Sequence, residues 1–137
     1  MLVSNSSGLY VAVKPTLETK IKLYEWAAPT GLLLDLDLHV TLLYSRKNFP
    51  VVLSPGILFA KPKHISSFGT AAVVLHLDSL ALINRHNHFI SQGHTHDWEY
   101  YTPHLTLKMS DFDYRKLPPI LFDLAFDSEF QEELIDL

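Results

Sequence analysis

Short apolar runs and polar breaks follow one another along this chain, and the runs carry two different periods. Residues 9–13, Leu9-Tyr10-Val11-Ala12-Val13, predict a strand that follows a turn at Ser6-Ser7-Gly8 and ends at Lys14-Pro15. Thr16 is a capping residue. Leu17, Ile21, Leu23, Tyr24 and Trp26 then form an approximate apolar stripe, which predicts a helix to about Ala28, broken by Pro29-Thr30-Gly31. Residues 38–44 are the clearest strand, followed by the polar turn Ser45-Arg46-Lys47-Asn48. Residues 50–62 read as loop or short strand, punctuated by Pro50, Pro55, Gly56 and Pro62. Residues 63–69 and 71–77 predict a hairpin turning near Gly69-Thr70. A second helix is expected from Asp78 or Ser79 through about Gln92, stopped by Gly93. Residues 104–109 predict a strand, 110–116 a short helix, and 120–130 a long closing strand.

The predicted order is β-α-β-β-β-α-β-β, with a helix shortly before each of the strands 38–44 and 104–109. Two halves of similar content predict an internal pseudo-repeat. The expected fold is one α+β domain over residues 1–137, two-lobed in the manner of an α/β pair. It would hold two pseudo-symmetric antiparallel sheets with flanking helices around a central cleft.

Composition narrows the classes of function. A chain of 137 residues, 47% hydrophobic and 19% charged, fits one soluble globular domain. Its net charge of -4 weighs against long nucleic acid as a partner, which favours a strongly basic surface. A small anionic ligand needs only a local group of donors. The absence of cysteine excludes disulfides, thiolate metal sites and a cysteine nucleophile. Residues 1–7 lack the basic and apolar regions of a signal peptide, and no apolar run reaches the ~20 residues that span a membrane. The default expectation is a cytoplasmic protein without membrane contact; its protein partners are left open.

Two segments carry the chemistry. Leu38-His39-Val40-Thr41-Leu42 and Pro103-His104-Leu105-Thr106-Leu107 share the order His, apolar, Thr, apolar, and lie 65 residues apart (104 − 39), near half the chain. Residues i and i+2 of a strand share a face. His39 and Thr41 therefore project one way while Val40 enters the core, and His104 and Thr106 do the same around Leu105. One His-x-Thr is usually an ordinary amphipathic strand. Two copies at equivalent places in two halves point to a shared site across a cleft. A neutral imidazole can take a proton from an attacking hydroxyl, and an imidazolium can give one to a leaving oxygen. The threonine hydroxyls can hold nonbridging phosphate oxygens. Such chemistry needs no metal and no cofactor.

These motifs resemble the signature of the two-histidine (2H) phosphoesterase superfamily, the fold group of LigT-like RNA phosphodiesterases and cyclic phosphodiesterases. A narrower likeness runs through Gly8-Leu9-Tyr10-Val11-Ala12-Val13-Lys14-Pro15, the segment Leu38-His39-Val40-Thr41-Leu42-Leu43-Tyr44-Ser45-Arg46, and Tyr101-Thr102-Pro103-His104-Leu105-Thr106-Leu107. These look like the phage anti-CBASS phosphodiesterases, which degrade the cyclic di- and trinucleotide messengers of a bacterial immune system. The resemblance implies a viral enzyme acting in the host cytoplasm on such a messenger, with His39, Thr41, His104 and Thr106 catalytic.

It also implies ligand contacts. Tyr10 matches an early tyrosine that contacts the nucleotide; the alternative is a plain surface or core tyrosine. Phe68 lies where the family places an aromatic residue, often tryptophan, against a base; the alternative is a core phenylalanine. A C-terminal glutamate binds ligand in the family, and here Glu129, Glu132 and Glu133 compete. Strict alternation with Phe122, Leu124 and Phe126 in the core puts Glu129 and Glu133 on the opposite face. A bulge would bring Glu132 there instead. An acidic tail kept for solubility is the remaining reading.

His86, His88, His94 and His96 invite a metal reading, but i and i+2 point apart in a helix, and no well-spaced further ligand completes a zinc signature. Arg46 and Lys47 either attract phosphate or form a solvated turn. Two rival functions stand beside the leading one: an RNA-processing 2H enzyme acting on 2′,3′-cyclic or 2′-5′ phosphates, and a sponge that holds the nucleotide uncut.

Overall fold

The computed structural model describes residues 5–69, 71–98 and 100–136. Six strands and two helices form among them, in the expected order. They are β1 (Asn5–Pro15), α1 (Leu17–Ala27), β2 (Val40–Ser45), β3 (Leu58–Phe68), β4 (Ala72–Asp78), α2 (Leu80–Ser91), β5 (His104–Lys108) and β6 (Leu124–Asp136). Among the described residues no helix is long and apolar enough to cross a membrane.

The strands do not separate into two sheets. They pair antiparallel in one closed ring, β1-β2-β5-β4-β3-β6, with β6 returning to β1. The two-sheet expectation is corrected on this point, and its origin is visible in the pairing. β2 meets β5 through the single pair Val40/Leu105, and β3 meets β6 only through Leu58/Phe126, Phe59/Ala125 and Ala60/Leu124. Between these thin seams lie two well-paired units, β2-β1-β6 and β5-β4-β3. Exchanging β1 with β4, β2 with β5 and β3 with β6 maps the ring onto itself, so the connectivity carries a pseudo-twofold.

A seam of one pair leaves backbone groups of β2 and β5 without strand partners, and buried ones must be met elsewhere. For β2, α2 and the loop after it supply them. His86 donates from Nδ1 to the Leu42 carbonyl (2.7 Å), the Tyr44 amide donates to His96 Nδ1 (3.2 Å), and the Asp97 amide donates to the Tyr44 carbonyl (3.1 Å). For β5 the segment before β2 does the same. The Asp35 amide donates to the Leu107 carbonyl (2.9 Å), and the Met109 amide to Asp35 Oδ2 (2.9 Å). Side chains and loops thus hold open what a longer ladder would close.

Several local readings change for identifiable reasons. Ser6-Ser7-Gly8 is strand, not turn: β6 follows β1 to this end with a register shift between Ser6 and Gly8. Gly8 is there for closeness, since a Cβ would collide with the Ser45 carbonyl. In α1 the buried stripe is Thr19, Leu23 and Ala27, while Leu17, Ile21 and Tyr24 are exposed. Hydrogen bonds turn the helix: Thr16 caps it, the Thr16 amide donates to the Ala125 carbonyl (2.9 Å), and the Ala125 amide donates to Thr19 Oγ1 (3.0 Å). Pro62 lies inside β3, beside an irregularity between Pro62 and Ile65 that relieves the ladder of its missing N–H. Residues 110–116 give only a 3-10 turn at Tyr114–Lys116, and the last strand starts at Leu124 and runs to Asp136. Ser79 is the cap of α2. The β3–β4 turn contains Gly69 at φ 57°, and Thr70 lies outside the described residues.

The core joins the apolar face of the ring to both helices. Val11, Val40, Leu42, Leu105 and Leu107 are fully buried with Leu23 of α1 and with Leu82 and Phe89 of α2. Val40 and Leu105, the only paired residues of the β2–β5 seam, anchor both His-x-Thr strands in that core.

Candidate active site

Antiparallel strands count in opposite directions. One step either side of Val40/Leu105 sets Thr41 across from His104 and His39 across from Thr106. All four side chains are half-buried, on the face opposite the two buried apolar residues. Each histidine therefore faces the threonine of the other motif, as a pseudo-twofold through the seam requires. Cross-strand neighbours on one face have Cβ atoms roughly 5 Å apart and diagonal ones ~7 Å, the scale of a phosphate group.

Both rings are oriented alike. His39 Nδ1 lies 2.8 Å from the Asp37 carbonyl and His104 Nδ1 lies 2.9 Å from the Thr102 carbonyl. A carbonyl only accepts, so each Nδ1 carries a proton and each Nε2 is free to gain or lose one. Thr41 is held twice: its hydroxyl is 3.1 Å from the Tyr10 hydroxyl, and its carbonyl accepts from the Tyr101 hydroxyl at 2.7 Å.

A cavity of about 520 Å³ opens beside this seam. The Thr41/His104 pair lines it, with Tyr10 and Phe68. His39 and Thr106 are not among the lining residues, but the His39 ring meets the ring of the lining residue Tyr10 edge-on at 6.1 Å. Phe68 is not a core residue: it is 49% exposed and its ring meets that of His104 edge-on at 5.6 Å. Tyr10 lies on the cavity side of β1. Burial, the largest cause, raises its hydroxyl above the usual value against the opposing Thr41 bond, with a smaller push from Glu132.

A bulge settles the position of the C-terminal glutamates. Lys14 pairs with Ser128 and Pro15 with Phe126, so Asp127 is the extra residue and the parity of β6 reverses there. Glu129 then sits opposite Val13 on the core side, and Glu132 opposite Tyr10 on the cleft side. Glu129 is spent: Arg85 Nε and Nη2 lie 2.7 and 2.9 Å from its carboxylate, which is 1% exposed and also accepts from the Ser54 amide. Of the three glutamates weighed above, the structure sets Glu132 on the Tyr10 face of β6 and ties Glu129 to α2. Glu133 pairs with Leu9, on the side away from Tyr10.

The family model for the anti-CBASS protein Acb1 matches residues 7–136. The chain belongs to the Acb1 family. It is similar to the anti-CBASS protein Acb1 of Vibrio phage KVP40, 36% identical over 113 residues, covering 77% of this chain and 75% of the relative. It is 33% identical over 136 residues to the proteins of the same description from Enterobacteria phage T4 and Salmonella phage S16, covering 94% of this chain and 90% of each relative. The Acb1 match spans Tyr10, both His-x-Thr motifs, Phe68 and Glu132.

The remaining candidates of this Acb1-family chain have structural partners. His86 and His96 complete the edge of β2, His94 packs buried with Nδ1 2.9 Å from Ser45 Oγ, and His88 is exposed. Among the described residues no three His, Asp or Glu side chains gather as a metal site. Arg46 is exposed and pairs with Asp97 at 3.0 Å. Sequence reasoning missed the far wall of the cavity: Tyr44, His96, Trp98, Tyr100 and Tyr101. The signal was the density of aromatic residues just before the second motif.

Proposed function

We propose that this protein is a metal-independent phosphodiesterase of the 2H type. It opens 3′-5′ linkages of cyclic di- or trinucleotide immune messengers and so serves a phage as a counter-defence. The observation that supports this most directly is the twinned seam: two histidines, oriented by equivalent carbonyl bonds, each across from the other motif's threonine, beside a nucleotide-sized cavity. The family membership supports the class of messenger.

In this mechanism the ribose 2′-hydroxyl attacks the adjacent phosphorus. The Nε2 atom of one histidine takes the hydroxyl proton as the P–O2′ bond forms. The Nε2–H of the other histidine protonates the 5′-oxygen as the P–O5′ bond breaks. Thr41 and Thr106 donate to the nonbridging oxygens. The products of this step are a 2′,3′-cyclic phosphate and a free 5′-hydroxyl; water then opens the cyclic phosphate with the roles of the two rings exchanged. Tyr10 and Phe68 flank the reacting centre as base-stacking surfaces, and Glu132 accepts from a base edge.

The test is incubation of the purified protein with a panel of cyclic di- and trinucleotides and a linear RNA, in EDTA, followed by chromatography. Ring opening of a cyclic substrate, lost in the His39→Ala/His104→Ala double variant, is the expected result. Binding without cleavage would make the protein a sponge, and preference for linear RNA would make it an RNA-processing enzyme.

A further inference from the structure

His96 does more than complete the edge of β2, because its ring also lines the cavity. The Tyr44 amide donates to its Nδ1 at 3.2 Å. An amide nitrogen cannot accept in return, so Nδ1 is unprotonated and the single proton of the neutral ring sits on Nε2. On balance the surroundings also favour the neutral form. Burial, chiefly, and the neighbouring His86 at 4.6 Å between ring centroids push His96 down to about 4, outweighing Asp97. His96 is thus an uncharged donor at any ordinary pH.

Its surroundings define what it can meet. The Trp98 ring lies 5.3 Å from that of His96 and 5.6 Å from that of Tyr44, and Trp98 is largely exposed. No lysine or arginine is among the described residues lining the cavity. A phosphate would call for a cation here. A flat, neutral group with acceptors on its edge suits aromatic walls and one fixed N–H.

We propose that His96 is a specificity-determining residue, the donor that reads the acceptor edge of a nucleobase stacked on the exposed Trp98 ring. This rests on the nucleotide-cleaving reading of the same cavity. With Thr41 and His104 in the same lining, the base held here belongs to a nucleotide next to the reacting phosphate.

The diagnostic variant is His96→Asn. Its amide oxygen takes the place of Nδ1 and keeps the Tyr44 bond, while the Nε2 donor is lost. His96→Gln places an amide N–H near the Nε2 position. Steady-state cleavage is measured with 3′-5′ cyclic dinucleotides carrying adenine, guanine or uracil, alongside thermal melting. Expected for His96→Asn is a KM raised about tenfold for the preferred base, the size of one lost hydrogen bond to the ligand. Turnover number and melting temperature stay near those of the wild type, the preference among bases flattens, and His96→Gln recovers part of the loss. Unchanged KM and base preference in a normally folded His96→Asn overturns the inference, as does a loss confined to kcat. Should the wild type cleave none of the panel, the cleavage reading fails by itself. Calorimetric titration with the same nucleotides then reads the inference alone, and it is overturned if the wild type binds none of them or no more tightly than His96→Asn.

Discussion

His39 and His104 are held by the same bond: each Nδ1 donates to the carbonyl two residues earlier, Asp37 at 2.8 Å and Thr102 at 2.9 Å. A strand residue does not ordinarily reach its own i−2 carbonyl from the side chain. Here each ring folds back beside the start of its strand, and at both sites the Nδ1 bond leaves Nε2 as the nitrogen for proton transfer. His39→Ala and His104→Ala should each lower turnover by roughly 10²–10⁴-fold, the usual value of a positioned proton-transfer group. Both rings are half-buried, so melting temperatures should shift little. Near-normal turnover in either variant, measured by chromatography of product, would remove the two-histidine mechanism.

The two glutamates separated by the bulge at Asp127 should behave in opposite ways. Arg85→Ala leaves the Glu129 carboxylate, 1% exposed, as a buried charge without its cation. Breaking a buried pair from one side costs about 3–5 kcal/mol, so the urea midpoint should fall sharply. Glu132→Ala removes an exposed side chain across from Tyr10 and should leave the midpoint within experimental error. Its effect belongs in KM for the nucleotide. A large midpoint shift for Glu132→Ala, or none for Arg85→Ala, would mean that the strand parity on the two sides of Asp127 is wrongly drawn.

That parity shows what could be read from residue pattern alone. The order of elements, the Thr16 cap, the second cap to within one residue (Asp78 or Ser79) and the faces of the two His-x-Thr strands were legible, because each rests on short-range periodicity or a capping side chain. The ring was not, because a one-pair seam between β2 and β5 leaves no mark in either strand. The choice between Glu129 and Glu132 was stated as depending on a bulge, and bulges are set by the partner strand. Phe68 stood between a base contact and a core position and lines the cavity; the choice stayed open because period-2 patterning cannot say where a hairpin tip projects. The buried stripe of α1 was misread because Thr19, a polar residue, faces inward to meet the Ala125 amide.

Stability should fall on mild acidification. Burial is the largest cause lowering His86, His94 and His96, with His96 reaching about 4, whereas unfolded imidazoles titrate near the ordinary 6.5. Between those values the unfolded chain binds more protons than the folded one, so the unfolding free energy rises with pH. The stability is complete above about 6.5 and is lost as pH falls toward the depressed folded values. Melting temperature followed by circular dichroism from pH 8 to pH ~5, where carboxylates stay largely ionised, should decline below about 6.5. His96→Asn should flatten the decline. A melting temperature that is level or rises on acidification across this window would contradict the neutral, hydrogen-bonded state of these rings.

Cleavage should require a ribose 2′-hydroxyl beside the scissile 3′-5′ phosphate. The seam offers two proton-transfer groups and two hydroxyl donors, and Thr41 is already engaged by the Tyr10 hydroxyl at 3.1 Å. In the proposed mechanism neither threonine is the nucleophile, because the Nε2 atom of each histidine serves the substrate's own oxygens. The attacking atom must come from the ligand or from water. A cyclic ligand holds its 2′-hydroxyl within reach of the adjacent phosphorus, and such intramolecular placement is worth effective molarities on the order of 10⁵ M or more in favourable geometries. Water has no comparable advantage. A 2′-deoxy analogue of the cleaved messenger should therefore bind within a few-fold of the natural ligand by calorimetry, because stacking on Phe68 and the aromatic wall does not involve that hydroxyl. Its turnover should be lost, and the natural substrate should pass through a 2′,3′-cyclic phosphate detectable at short times. Equal turnover of the two ligands would move the first step to a water activated by one histidine. The second histidine would keep its role as the acid at the 5′-oxygen.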